Sequence, residues 1–194
     1  MFEHYLSFMM KFAMDAHRDR CTKDRFRRFD GKTPFFIHPV GMATQILNDD
    51  GVEFSIRAHA AIAALLHDVL EDTSVTEADV RKAHRDWLAA AALDETEFEI
   101  DVDKVLFTVN RLTSESSTAS QVKFMARPED ASLIEVLVRV ADIVDNIATF
   151  PTAKAIDKVH YMRLLAYRVP SKSVNGRRLQ HAITVANNAS YDWV

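Results

Sequence analysis

The sequence predicts an all-α protein, and three observations support this class. Apolar residues recur at the three- and four-residue spacing of a helix along most of the 194-residue chain. Only four glycines and five prolines are present, fewer than the turns of an all-β protein need. Alanine, leucine and charged residues dominate, with no internal repeat, low-complexity tract or long linker. We therefore expect a single helical domain over residues 1–194.

The composition limits the kinds of binding partner that we expect and the cellular compartment of the protein. The net charge is −4, so we expect no general attraction to nucleic acid. No apolar run approaches the roughly 20 residues that span a bilayer, and the N-terminus lacks the features of a signal peptide. We therefore expect a cytoplasmic protein without membrane contact. The single cysteine, Cys21, allows neither an intramolecular disulfide nor a thiolate metal cluster. The oligomeric state stays open, and a homo-oligomer is compatible with the sequence.

The N-terminal part combines an amphipathic helix with a basic segment. Residues 3–18 carry one apolar face, which His17 extends either as a core histidine or as a site residue. Residues 18–33 are basic and turn-prone, which predicts a loop that is either solvated or able to gather phosphate oxygens. Pro39 suits the first turn of the next helix, and it places His38 at a helix start beneath the basic loop.

The most apolar helix of the chain is predicted over residues 53–70 and ends in charged side chains. His67 and Asp68 are about 100° apart around this helix, so one ion could contact both. Glu71 lies one turn beyond His67, and Asp72 lies one turn beyond Asp68. Charged groups in apolar surroundings are costly unless they are paired or bound to a metal. The pattern therefore predicts a buried cation at the end of this helix.

The second half of the chain continues the helical pattern. Thr76 and Asp79 offer capping signals for a helix that runs through Leu88. Apolar spacing predicts further helices at residues 102–112, 131–150, 153–169 and 175–188. Asp142 follows a buried run, as Asp68 does in the central helix. The polar stretch 113–121 could close over a site, and the sequence leaves this open.

Three separated segments thus present side chains that bind metal ions: His38, His67 with Asp68, and Asp142. Two imidazoles and two carboxylates suit Mn²⁺, Fe²⁺ or Mg²⁺, and Zn²⁺ is compatible but not favoured without cysteine. Such an ion acidifies water and polarises a phosphoryl oxygen. Glu71 and Asp72 could orient that water or carry its proton. The set predicts metal-assisted hydrolysis of a phosphate ester or anhydride.

Four motifs follow one another in a specific order. They are Ala16-His17, GKTPFFIHPV over residues 31–40, ALLHDVLEDT over residues 64–73, and VADIVDN over residues 140–146. In order and spacing they resemble the HD-domain phosphohydrolases, specifically the hydrolase domain of RelA/SpoT proteins and the stand-alone small alarmone hydrolases. The resemblance is strongest over residues 8–150, and residues 151–194 match loosely as C-terminal helices.

The resemblance implies an all-α HD-domain helical bundle and a complete reaction. It implies one Mn²⁺ on the four ligands, with Glu71 and Asp72 assisting the attacking water. The implied substrate is guanosine tetra- or pentaphosphate, hydrolysed at its 3′-pyrophosphate to pyrophosphate and GDP or GTP. The implied nucleotide contacts are Arg28 and Lys32, with Asn146 and Thr149 facing the ribose or base.

Several positions depart from the family pattern. The basic loop is longer than in the bifunctional proteins of the family, so either Arg27 or Arg28 could correspond to the arginine that the family has there. Elsewhere the family's basic residues are replaced or altered, at Ser114, Arg139, Ile143 and Ala148. Two alternatives therefore stay open: an HD-type phosphatase for another phosphorylated nucleotide, such as a nucleotide monophosphate or NADPH, and a non-catalytic nucleotide-binding helical module.

Overall fold

The structure, a computed structural model, describes residues 1–22, 26, 31–113, 131–149, 162–163, 165–169 and 172–189. Seven helices have defined bounds within these ranges: α1 (Phe2–Asp19), α2 (Ile37–Leu47), α3 (Phe54–Asp72), α4 (Glu77–Ala90), α5 (Val102–Thr113), α6 (Leu133–Thr149) and α7 (Val174–Ala189). The same ranges contain isolated backbone bridges but no sheet. This confirms the all-α class, and the helix bounds lie close to those predicted. The helix expected over residues 153–169 falls mostly outside the described part of the chain.

The central helix is α3, which is buried on almost every side. From Ala58 to Leu66 its apolar side chains are at most 1% exposed, and it packs against α1, α2, α5 and α6. A helix that is apolar all round belongs in a core, as the sequence predicted. Five alanines in this stretch keep its surface narrow, so the surrounding helices can approach closely. None of the described helices combines the length and the hydropathy that crossing a bilayer requires.

Helix α6 packs in two hydrophobic clusters at once. One face joins the main core around α3 through Ile134, Leu137, Val138 and Ala141. The other face joins a second cluster, formed by Val136, Val140 and Ile143 with Met162, Leu165, Val169, Leu179, Ala182 and Ile183. The residues after α6 therefore cover it from the side opposite α3.

The N-terminus of α7 is fixed by the connection between α2 and α3. Asp49 is fully buried, and its two carboxylate oxygens accept hydrogen bonds from the backbone N–H groups of Val174 (2.9 Å) and Asn175 (3.0 Å). A Cβ atom on Gly51 would lie 3.0 Å from the Cβ of Ser173, so glycine permits this close approach. These contacts satisfy helix donors that otherwise have no partner.

Candidate metal centre

The predicted ligands meet where the C-terminal end of α3 packs against α2 and α6. His67 Nε2 lies 3.0 Å from Asp68 Oδ2, and His38 Nε2 lies 3.9 Å from the same oxygen. Asp142 Oδ1 of α6 lies 3.3 Å from His38 Nε2. Ligand atoms of His38, His67 and Asp68 all fall within 4.8 Å of one another. Four side chains from three separated segments thus meet here: His38, His67 and Asp68 form one group, and Asp142 joins it through His38.

Each of the three helices contributes through a specific position. The buried run of α3 carries His67 and Asp68 into its last turns. His38 is the second residue of α2, where a turn closed by the Phe35 carbonyl and the His38 N–H starts the helix. Asp142 follows the apolar first half of α6. The two histidines are almost fully buried. The side chains of Asp68 and Asp142 are 16% and 17% exposed, so the cluster lies at the edge of the apolar core.

The hydrogen bonds of the two imidazoles determine which nitrogen faces the carboxylates. His67 Nδ1 donates to the carbonyl oxygen of Ala64 at 2.7 Å. His38 Nδ1 donates to Asp145 Oδ2 at 2.6 Å. Because Nδ1 is occupied in both rings, Nε2 is the nitrogen available to a metal ion.

The side chains of the cluster hold one another in charged forms. Burial lowers the pKa of His38, but hydrogen bonds to Asp142 and Asp145 and the charges of Asp142 and Asp68 outweigh it and raise that pKa to about 9. For His67 burial also opposes the charge, and Asp68 raises its pKa. Burial raises the carboxylate pKa values, but the histidines lower those of Asp68 and Asp142 below the ordinary range. The imidazoles and the carboxylates of the cluster thus favour one another's charged forms.

The donor set fits a divalent cation. With neutral imidazoles the four side chains carry two negative charges, which one divalent ion would neutralise. Donor atoms that share an ion at roughly 2.1 Å lie about 3–4 Å apart. The separations of 3.0 Å for His67–Asp68, 3.9 Å for His38–Asp68 and 3.3 Å for His38–Asp142 agree with this, whereas Asp142 lies outside the group whose ligand atoms are all within 4.8 Å of one another. Imidazole nitrogen with carboxylate oxygen suits borderline and hard ions.

Glu71 and Asp72 occupy the last turn of α3, four residues after His67 and Asp68. Asp72 is buried and Glu71 is half-buried. The Asp72 carbonyl accepts hydrogen bonds from the backbone N–H (2.8 Å) and Oγ1 (3.0 Å) of Thr22. This contact fixes Thr22, in the basic segment, beside the end of α3.

The four predicted nucleotide contacts stand differently. Lys32 is exposed and follows Gly31, whose φ of 62° is the left-handed conformation that glycine adopts readily. The Asn146 amide donates to Asp142 Oδ1 at 2.5 Å, so it belongs to the cluster. Thr149 is the last residue of α6, but its side chain lies outside the described part. The structure does not describe Arg28, the alternative Arg27 or most of residues 113–121.

The structure gives Asp145, Arg139 and His17 surroundings that the sequence did not predict. Asp145 holds His38, and its spacing of three from Asp142 on α6 is the signal that could have revealed it. Arg139 Nη2 donates to the Leu112 carbonyl at 2.7 Å, and its Nη1 lies 4.0 Å from Asp142 Oδ2. His17 is 3% exposed with its ring centroid 5.4 Å from that of Phe35, and neither ring nitrogen has a hydrogen-bond partner among the described residues.

A helical bundle with a His/Asp cluster that can hold a metal ion defines the class of the protein. The HD domain family matches residues 35–147, which is more than half of the chain. The chain therefore belongs to the HD domain family, and the resemblance predicted from the motifs is confirmed.

Several known proteins are similar to this chain. A Mycoplasma pneumoniae protein named "Probable guanosine-3′,5′-bis(diphosphate) 3′-pyrophosphohydrolase" is 30% identical over 137 residues, which cover 63% of this chain and 16% of that protein. Proteins from Aquifex aeolicus and Haemophilus influenzae, named guanosine-3′,5′-bis(diphosphate) 3′-pyrophosphohydrolase, are each 27% identical over 72% and 71% of this chain, and each is covered to 17%. The chain spans about a sixth of the length of these curated relatives.

A solved structure shares the fold over most of the chain. It is the structure of a protein described as "a metazoan ortholog of SpoT" that "hydrolyzes ppGpp and plays a role in starvation responses". The two superimpose with a TM-score of 0.62 over 92% of this chain and 93% of the other, at 18% sequence identity. At this identity the similarity concerns the fold.

Proposed function

We propose that the protein hydrolyses the 3′-pyrophosphate of guanosine tetra- or pentaphosphate, with Mn²⁺ as its ion. The observation that carries the proposal is the cluster of His38, His67, Asp68 and Asp142. Two further carboxylates lie on α3, one turn after His67 and Asp68. The names of the relatives that align over 137 residues support the choice of substrate. Fe²⁺, Mg²⁺ and Zn²⁺ are the alternative ions, and the four clustered side chains are the proposed ligands.

The reaction exchanges one phosphorus–oxygen bond for another. When bound, a divalent ion makes water more acidic and polarises a phosphoryl oxygen. The water oxygen bonds to the phosphorus next to the ribose, and the bond from that phosphorus to the ribose 3′ oxygen breaks. One of Glu71 and Asp72 accepts the proton that the water loses, and that proton is returned to the 3′ oxygen as it leaves. The products are pyrophosphate and GDP or GTP.

The basic segment and α6 are the proposed contacts of the nucleotide. Lys32 and Arg28 would bind phosphate oxygens, because a flexible cation and a planar guanidinium both suit phosphate. Asn146 and Thr149 would face the ribose or base. The Asn146 amide donates to Asp142, which holds this side chain beside the cluster.

A second candidate function is an HD-type phosphatase for another phosphorylated nucleotide, such as a nucleotide monophosphate or NADPH. One observation favours it. Ile143 stands where the RelA/SpoT-type hydrolases commonly have a basic residue. It is 2% exposed and packs in the second cluster. This position therefore supplies an apolar contact to the core and no charge to a substrate.

One assay separates these functions. Purified protein with Mn²⁺ is incubated with guanosine tetraphosphate, nucleotide monophosphates and NADPH, and the release of pyrophosphate and inorganic phosphate is followed. Pyrophosphate from guanosine tetraphosphate alone supports the main proposal, whereas inorganic phosphate from another nucleotide supports the second. Tight binding without turnover of any compound would favour the non-catalytic module. Asp68→Ala is the control for the site, since it removes a proposed ligand.

We also propose that residues 1–194 act as one HD-type unit. The contacts of α6 with the second cluster, and of Asp49 with the start of α7, support this. A cytoplasmic location, a homo-oligomeric state and the absence of nucleic acid from the partners stay predictions.

A further inference from the structure

Helix α2 offers His38 no carbonyl of a preceding helical turn. His67 uses such a carbonyl, because Ala64 lies three residues earlier in the same helix and accepts from Nδ1. His38, in contrast, is the second residue of α2, so no complete helical turn precedes it. The Nδ1 of His38 bonds instead to a residue of another helix.

Asp145 of α6 supplies that acceptor. Its Oδ2 lies 2.6 Å from His38 Nδ1, which is short enough for a charge-assisted hydrogen bond. Asp142, three residues earlier on the same face of α6, lies 3.3 Å from the other ring nitrogen. Two successive carboxylates of one helix thus contact the two nitrogens of one imidazole.

We propose that Asp145 is a positioning residue: its hydrogen bond to His38 Nδ1 fixes the ring so that Nε2 points at the metal position shared with His67, Asp68 and Asp142. The proposal deepens the proposed function and rests on it for the identity of the site. Neutral histidine has two tautomers, and a carboxylate on Nδ1 selects the one with an unprotonated Nε2. Such outer carboxylates orient ligands and increase their basicity.

The same geometry gives Asp145 a role different from that of Asp142. Asp145 contacts the nitrogen on the far side of the ring from the cluster, so it does not act as a further ligand while this bond is made. Its side chain is 30% exposed, and water can partly compensate for its loss. We therefore expect an effect near the lower end of the 10- to 100-fold range that is typical of such partners.

The test compares Asp145→Ala with Asp145→Asn in the full-length protein. Mn²⁺ affinity is measured by titration calorimetry without any nucleotide. We expect the alanine variant to bind Mn²⁺ about tenfold more weakly. The asparagine variant should recover most of the affinity, because its amide oxygen still accepts a hydrogen bond from Nδ1. Asp50→Asn is the matched control, since Asp50 is an exposed carboxylate beyond the C-terminal end of α2 and His38 lies at the start of that helix, and it should bind like the unaltered protein.

A spectroscopic readout reports the positioning directly. In protein loaded with diamagnetic Zn²⁺, nitrogen-15 NMR of the His38 ring should show a protonated Nδ1 in the unaltered protein and in Asp145→Asn. The alanine variant should show a mixture of ring states. Two outcomes would overturn the proposal: alanine and control variants with equal Mn²⁺ affinity, or an asparagine variant as weak as the alanine variant. Because neither measurement uses a nucleotide, an error in the proposed substrate would leave both results intact.

Discussion

Replacing Asp49 with alanine should cost the protein a large part of its stability. The carboxylate is fully buried and accepts two hydrogen bonds, at 2.9 and 3.0 Å, from the first N–H groups of α7. A hydrogen bond to a charged group contributes about 1.5–3 kcal/mol, and both donors, of which Asn175 is buried and Val174 half-buried, would lose this partner. We expect a loss of about 3–5 kcal/mol from a total that is typically about 5–15 kcal/mol. Asp49→Asn retains one acceptor oxygen and should lose about half as much.

Urea unfolding followed by far-UV circular dichroism measures this loss. The neighbouring Asp50 is exposed, so Asp50→Ala makes the same change of charge without breaking a buried contact. Its free energy of unfolding should stay within about 0.5 kcal/mol of that of the unaltered protein. If Asp49→Ala and Asp50→Ala shifted the urea midpoint equally, the capping contact would not stabilise the fold and the reasoning would be refuted.

Three further predictions concern the site and the buried histidines. Mn²⁺ at roughly 100 times its Kd should raise the melting temperature by about 5–11 °C in the unaltered protein and in Glu71→Gln, but not in Asp68→Ala. Glu71→Gln should nevertheless lose turnover by about 10²- to 10⁴-fold. An equal rise of the melting temperature in Asp68→Ala would place the ion elsewhere. His17→Phe should raise the free energy of unfolding by about 1 kcal/mol, because neither ring nitrogen of His17 has a hydrogen-bond partner among the described residues. A lower free energy of unfolding in urea would show that His17 makes a stabilising hydrogen bond. Burial lowers the pKa of His84, whose Nδ1 bonds to the Tyr5 hydroxyl, so its contribution to stability is complete above the unfolded value of about 6.5 and falls at lower pH. His84→Gln should therefore flatten the loss of stability between about pH 7 and 5, and an unchanged slope would contradict this.

The difference between predictable and unpredictable contacts is one of distance along the chain. Helical periodicity identified α3 as central, and the charged end of its apolar run indicated a cation site with His67 and Asp68. The contact between His38 and Asp145 joins residues 107 positions apart, and that between Asp49 and Val174 joins residues 125 apart. Periodicity shows which face of a helix is apolar, but not which polar residue of a second helix will meet it. Local patterns therefore predicted the elements and the proposed ligands, but not the residues that hold them.

Helix α6 explains why the residues beyond the motifs matter to the site. It carries Asp142 and Asp145 toward His38, and its opposite side is buried against the second cluster. Ile143 follows Asp142 directly and is 2% exposed in that cluster, so apolar packing begins one residue from a proposed ligand. A buried apolar side chain contributes about 1.5–3 kcal/mol, and packed interiors transmit small displacements. A change that loosens the C-terminal cluster should therefore shift Asp142 relative to His38, and metal affinity should fall before the central helix α3 unfolds.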